Sequence, residues 1–317
     1  MVNYIIRRAI STMVLLFMIA TAVFLFLHLL PGDPALTILG GIDANPDSAA
    51  IALVHKRLGL DRPLYVQYGE WMGNLARLNL GTSFTSGTEV SRELARRLPR
   101  TFMLIVPAET IAILFGIPLG IAAARLRRTL WDPVISAIAL IGFSTPVFVS
   151  GLLLVLAFSL KLHWLPSGGF VSPTQDFGGF VKSAIMPVIT LSLGPMATTM
   201  RMTRSSVLEQ LGADYVRTAR SKGVTEIRVL YRHVLRNALL PVVTIVGLHV
   251  GFMFAGSVLV EYLFNWPGVN AYLLNSIGGR DYPVVQGIVL VIAAIFILIN
   301  FLTDLSFAIL DPRIRYE

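Results

Sequence analysis

Asp214-Tyr215-Val216-Arg217-Thr218-Ala219-Arg220-Ser221-Lys222-Gly223-Val224 is a basic, amphipathic segment that turns at a glycine. It lies within residues 201–236, which carry eight basic and three acidic residues yet keep apolar side chains at helical spacing. Val207, Leu208, Leu211, Tyr215, Val216 and Ala219 fall near one face of a predicted first helix. Val224, Ile227, Leu230, Tyr231, Val234 and Leu235 mark a second. Gly223 between them allows a sharp reversal, because glycine enters the left-handed backbone region without steric penalty. The spacing predicts a compact, basic helix-turn-helix. Two readings fit such a knob: a helix pair resting on anionic lipid, or a docking surface for a cytoplasmic protein.

The flanks of this knob are apolar. The 317-residue chain is 55% hydrophobic and 14% charged, with mean hydropathy +0.72, whereas globular domains run about 25% charged. That argues against a soluble enzyme or a nucleic-acid binder. The net charge of +8 fits cytoplasmic loops better than a polyanion partner. With no cysteine, disulfides, thiolate metal sites and thiol catalysis are excluded.

A spanning helix needs about 20 mostly apolar residues. Runs without Asp, Glu, Lys or Arg cover Ala9 to Pro31, Pro133 to Leu160, Ser183 to Met200, Asn237 to Val260 and Tyr282 to Thr303, and Thr101 to Ala124 is broken only by Glu109. An all-α polytopic membrane protein with six spans is expected. The side bearing Arg7 and Arg8, Arg125, Arg127 and Arg128, the knob, and Arg313 and Arg315 holds 15 basic residues. The short loops opposite hold 3, namely Lys161, Lys182 and Arg280. Both termini are therefore expected in the cytoplasm. The first span reads as an uncleaved anchor, since Pro31-Gly32-Asp33-Pro34 stands where a cleavage site would require small residues.

The expected organisation is residues 1–31 as cytoplasmic N-terminus and first span, 32–100 as an extracytoplasmic helical subdomain, 101–310 as a transmembrane core of five helices with its loop 201–236, and 311–317 as a cytoplasmic tail. Three short helices are expected in the subdomain. Asp47 caps the first, which ends near Gly59; Pro63 opens the second, which runs until Gly81; Thr88 caps the third.

The knob and its sequel His233-Val234-Leu235-Arg236-Asn237-Ala238-Leu239-Leu240-Pro241 resemble the coupling loop of ABC importer permeases, in particular the first ("B") permease subunit of the dipeptide, oligopeptide and nickel class. The likeness extends through Leu30-Pro31-Gly32-Asp33-Pro34, Leu58-Gly59-Leu60-Asp61-Arg62-Pro63-Leu64 and Phe143-Ser144-Thr145-Pro146. It continues in Val260-Glu261-Tyr262-Leu263-Phe264-Asn265-Trp266-Pro267-Gly268, Arg280-Asp281-Tyr282-Pro283-Val284 and Asp311-Pro312-Arg313-Ile314-Arg315-Tyr316. Where the general pattern has Glu-Ala-Ala ahead of the glycine, this chain has Arg217-Thr218-Ala219, the variant usual in the peptide and nickel branch.

The resemblance implies a transport subunit of the bacterial inner membrane that is not itself an enzyme. A homologous second permease, two cytoplasmic ATPases and an extracytoplasmic binding protein would be its partners, with membrane lipid around it and no nucleic acid. The chain has no Gly-x-x-x-x-Gly-Lys-Ser/Thr loop, so ATP and Mg would be held by the ATPases and no cofactor by this chain. On this model Asp214, Tyr215, Arg217, Ala219, Arg220, Lys222, Gly223 and Val224 couple the permease to an ATPase: Gly223 sets the turn, Tyr215 and Ala219 pack, and Arg217, Arg220 and Lys222 offer charge complementarity. The resemblance implies a di- or oligopeptide as cargo, with nickel or a small chelate or glutathione-like molecule as the alternative.

Intramembrane polar groups point to function by default, and Glu109, His249 and Asp304 qualify. A helix-to-helix hydrogen bond or ion pair is the favoured role for Glu109, and pairing with a basic loop residue that for Asp304. His249 has no second His or carboxylate near it in sequence and is not read as a metal ligand. A proton relay through these three in an ion-driven transporter is the rival reading. A membrane enzyme is a further one, although no His-Glu-x-x-His run or Ser/His/Asp arrangement appears. Gly116 and Gly120, and Gly247, Gly251 and Ala255, form small faces for close helix packing, the latter suited to an interface between permeases.

Overall fold

A computed structural model describes residues 2–29, 33–39, 46–127 and 129–310, with side chains from Ile10 onward except at 133, 136, 138–140 and 304–310. The expected tail 311–317 and Leu30-Pro31-Gly32 lie outside this description, as do the side chains of Arg7 and Arg8. The described chain is helical: α1 Val2–Leu29, α2 Pro34–Ile38, α3 Ser48–Leu58, α4 Leu64–Ala76, α5 Val90–Arg125, α6 Trp131–Ser144, α7 Val147–Leu154, α8 Phe177–Leu211, α9 Asp214–Ser221, α10 Glu226–Arg228, α11 Leu235–Ala238, α12 Leu240–Leu263, α13 Val269–Gly278 and α14 Tyr282–Leu310. Among the described residues, five helices are long and apolar enough to cross a membrane: Ile10–Leu29, Val90–Arg125, Phe177–Leu211, Leu240–Leu263 and Tyr282–Thr303.

The third expected span is two helices. Thr145 adopts an extended conformation (ψ 123) ahead of Pro146, the conformation that the proline ring favours in the residue before it. α7 then continues as a wide π segment, Val155–Lys161. In contrast, Pro187 and Pro195 sit inside α8, which runs unbroken for 35 residues. The third subdomain helix is not separate either: α5 starts at Val90 and runs 36 residues through the expected second span. Pro99 removes one hydrogen-bond donor, and no other breaker falls between the two parts.

The described residues form two compact units, one within 1–100 and 267–297 and one within 101–266 and 298–310. In the first, α4 lies along α1. The Thr21 hydroxyl meets the Tyr68 hydroxyl at 2.8 Å, and Phe24 stacks on Trp71 with ring centroids 5.6 Å apart. Val90 and Leu94 of α5 bury against Val269, Val284 and Ile288. As expected, α3 ends at Gly59 in the left-handed region (φ 70), whereas its N-cap Asp47 makes no capping hydrogen bond to the backbone. Pro63 precedes α4, which stops at Ala76.

In the second unit, α5 packs closely on α8. A Cβ at Gly116 would meet the Met196 carbonyl oxygen at 2.9 Å, and one at Gly120 the Met200 carbonyl oxygen at 2.6 Å. The Arg204 guanidinium of α8 grips both Asp132 carboxylate oxygens, at 2.7 and 2.9 Å from Nη2, which ties α8 to the first turn of α6.

Candidate functional site

The knob folds around its own apolar cluster. Val207, Val216, Ala219, Val229, Leu230, Val234, Leu235 and Ala238 bury together with Ala124. The expected first helix is divided: α8 ends at Leu211, Ala213 is extended (φ −71, ψ 150), and α9 starts afresh with Asp214 in its first turn. Gly212 is a weak helix former, and an acidic residue suits a helix N-terminus, so the break falls between them. Gly223 adopts φ 77, as a sharp turn requires.

The second helix also differs from the expected face. A π segment, Val229–Val234, inserts a wide turn and shifts the register. Val229, Leu230, Val234 and Leu235 therefore face the cluster, while Ile227 is 67% and Tyr231 62% exposed. Tyr215 does not pack inside as expected. It sits on the flank of α9, where its hydroxyl donates to Gln210 Oε1 at 2.6 Å and accepts from Asn237 Nδ2 at 3.3 Å. Val216 fills the inward position instead, beside Ala219.

The charges on α9 fall into two kinds. Arg220 binds Glu226 through Nε at 2.8 Å and Nη2 at 3.1 Å. This pair lowers the Glu226 carboxyl below its ordinary range and raises the Arg220 guanidinium. Arg217 reaches Asp214 at 3.4 Å and is largely exposed, and Lys222 is exposed after the last turn. The knob thus presents Arg217, Lys222, Ile227 and Tyr231 outward on a packed base.

Deeper in this unit, His249 Nδ1 lies 3.4 Å from Glu109 Oε1, with both residues buried. The structure supplies the carboxylate partner for His249 that the sequence did not show, 140 positions away. The second Glu109 oxygen has no hydrogen-bond partner. His249 also borders a cavity of about 160 Å³, together with Thr145, Ser150, Thr190, Phe252 and Met253. Among the described residues, no three His, Asp or Glu side chains converge as a metal site. Asp304 falls on α14 where side chains lie outside the described residues.

Gly247 is used within the chain, since a Cβ there would collide with the Thr303 side chain. Ala255 is exposed, and it continues a stripe of exposed apolar residues, Leu248, Phe252, Leu259 and Tyr262, at spacings of three and four. Sequence reasoning did not single out two buried carboxylates. Glu261 accepts from the Thr101 hydroxyl at 2.6 Å. Asp281 accepts from the Ser83 and Thr85 hydroxyls at 2.6 and 2.8 Å and from the Phe84 and Thr85 amides at 3.0 and 3.3 Å. Their position just beyond the apolar runs was the available signal.

The family model described as binding-protein-dependent transport system inner membrane component matches residues 116–316. The chain belongs to this family. A model of the N-terminal part of such membrane components matches residues 1–105. The permease is 43% identical over 317 residues to the glutathione transport system permease protein GsiC of Salmonella typhimurium, covering 100% of each chain. A protein of Brucella suis, named provisionally as a peptide permease, is 42% identical over 324 residues, with 99% of each chain covered. A solved chain of the inward facing MetNI methionine ABC transporter shares the fold at TM-score 0.57 and 16% identity, over 69% of this chain and 96% of that one. The permease is thus an ABC transporter permease and a multi-pass component of the inner membrane.

Proposed function

We propose that the permease forms one half of the membrane passage of an ATP-driven importer of short peptides, and that α9 is the element through which a cytoplasmic ATPase acts on it. A homologous second permease, two ATPases that hold ATP and Mg, and an extracytoplasmic binding protein complete the assembly. Six crossings, with α6, α7 and the π segment after it as one broken crossing, leave both termini in the cytoplasm. The observation that carries the coupling role is the exposed basic helix on a packed base: Val216 and Ala219 are buried while Arg217 and Lys222 face outward. A helix anchored in this way transmits a push to α8, whose Val207 lies in its cluster, and to α12, which follows α11 along the chain. The names of the two relatives support a peptide or glutathione cargo, glutathione itself being a tripeptide. The exposed stripe on α12 supports contact with the second permease.

The test is recovery of the complex. Permease tagged at its C-terminus, expressed together with its neighbouring genes and extracted in mild detergent, is expected to bring down a second polytopic subunit and ATPases with phosphate-binding loops. Gly223→Pro forces φ near −65° where the turn has φ 77, and is expected to lose most of the ATPase while permease levels hold. A wild-type chain that purifies alone and takes up peptide on an ion gradient would overturn the proposal.

A further inference from the structure

Between α1, α13 and α14 of the first unit runs an apolar groove of about 470 Å³, lined by Ala22, Phe26, Ile277, Val285 and Val289 and by one charged residue, Arg280. Leu27, Tyr282 and Val285 bury together beneath it. α1 ends at Leu29 and α14 begins at Tyr282, so Arg280 stands at the mouth of the groove. The apolar lining extends from there for about 10 Å along seven residues of α14. The neighbouring groove of about 580 Å³ has no charged residue in its lining.

Two features set Arg280 apart. Its φ is 49, and it closes α13 through hydrogen bonds from its own N–H to the Ile277 carbonyl and from the Asp281 N–H to the Ser276 carbonyl. That is the position just past a helix where the left-handed backbone ordinarily selects glycine. The sequence places Gly278 and Gly279 beside it and an arginine in it. Moreover, among the described residues no carboxylate forms an ion pair with Arg280. Asp281 next to it is turned to Ser83, Phe84 and Thr85, the Tyr282 hydroxyl lies beside the guanidinium, and Asp33, whose charge reaches that hydroxyl, is bound to His55 at 2.8 Å. A half-buried cation is thus held, at a backbone strain, at the end of an apolar trough between two membrane helices.

We propose that this groove binds an anionic glycerophospholipid, with one acyl chain lying along Ala22, Phe26 and Val289 and the phosphate on the Arg280 guanidinium. The planar fork of arginine matches phosphate oxygens in pairs, and the apolar lining matches the chain on its membrane side. The site shares no residue with the coupling knob or with the cavity beside His249, and it does not depend on the cargo.

Native mass spectrometry of the purified full-length permease with added dioleoyl phosphatidylglycerol tests the site. One lipid is expected to be retained in preference to dioleoyl phosphatidylcholine. Arg280→Gln is expected to weaken retention about fivefold, the factor equivalent to ~1 kcal/mol for one basic residue at an anionic surface. Ala22→Trp, at an exposed position on the groove wall, is expected to displace the chain with Arg280 intact. Because the chain has no cysteine, Ala22→Cys provides a unique thiol: quenching of a fluorophore there by brominated phosphatidylglycerol supports the site. Equal retention of the two lipids by wild type, undiminished retention in both variants, or cross-linking of that thiol to another protein chain in place of quenching would overturn it.

Discussion

Glu109 and His249 illustrate what a polar residue inside an apolar helix requires. A carboxylate buried without a partner loses its hydration for nothing in return, and His249 Nδ1 at 3.4 Å offers partial compensation. The pair joins α5 to α12 within one unit, as the helix-to-helix role expected for Glu109 requires. Glu109→Ala leaves the imidazole buried alone and is expected to destabilise the purified permease by about 1–3 kcal/mol, read as earlier thermal loss of folded protein. Glu109→Gln keeps an acceptor and is expected to lose less. An alanine variant as heat-resistant as wild type would remove the structural role and return the pair to the proton-relay reading. Each residue was legible alone in the sequence, but not the pairing, because contacts 140 positions apart leave no local spacing. The close faces at Gly116 and Gly120 were legible, since a four-residue interval on one helix places both on the same side, although the sequence did not name α8 as their neighbour.

At the scale of elements, composition gave the apolar runs and the folded knob, whereas breaks and register came from local backbone terms that periodicity does not see. The π segment after α10 rotated Ile227 and Tyr231 outward, and Ala213 divided a helix that the apolar spacing had joined. Pro146 ended α6 while Pro187 and Pro195 did not end α8, so proline alone does not decide a break. The turn between α9 and α10 carries a pH dependence that can be worked out. Arg220 holds the Glu226 carboxyl below the ordinary carboxylate range, so the ion pair stabilises the turn above that range and is lost as pH falls through the lowered value. Arg220 keeps its charge throughout. Amide exchange across 214–228 is therefore expected to be unchanged between pH 8 and about 5 after correction for intrinsic rates, and to rise below about 4. Glu226→Gln should show the faster exchange already at neutral pH. A variant with wild-type protection at neutral pH would show that the ion pair does not hold the turn.

For the whole molecule, the strongest sequence signal is the imbalance of 15 basic residues on one expected side against 3 in the short loops opposite, a bias that sets orientation through loops close to span ends. Its weakest point is the third crossing, where no single helix is long enough: α6 has 14 residues, α7 has 8 and the π segment that follows adds 7. Two arrangements satisfy the backbone at such a break. The two helices can follow one another across the bilayer, with neighbouring helices covering the break at Thr145, or they can dip in and return on the same side, which requires protein or water around the turn. Arg204 holds Asp132 at the start of α6, and α8 reaches the knob at its C-terminal end; this fixes the start of α6 on the knob's side of the second unit. Lys161 at the far end of the π segment then reports the outcome. In the cysteine-free chain, single thiols at Thr129→Cys, Lys161→Cys and Lys222→Cys can be reacted with a membrane-impermeant maleimide in intact spheroplasts and in inverted vesicles. A full crossing predicts labelling of Lys161→Cys from outside only, and of Thr129→Cys and Lys222→Cys from inside only. Labelling of Thr129→Cys and Lys161→Cys from one face would mean a re-entrant pair and five crossings, placing the N- and C-terminal ends of the chain on opposite sides of the membrane.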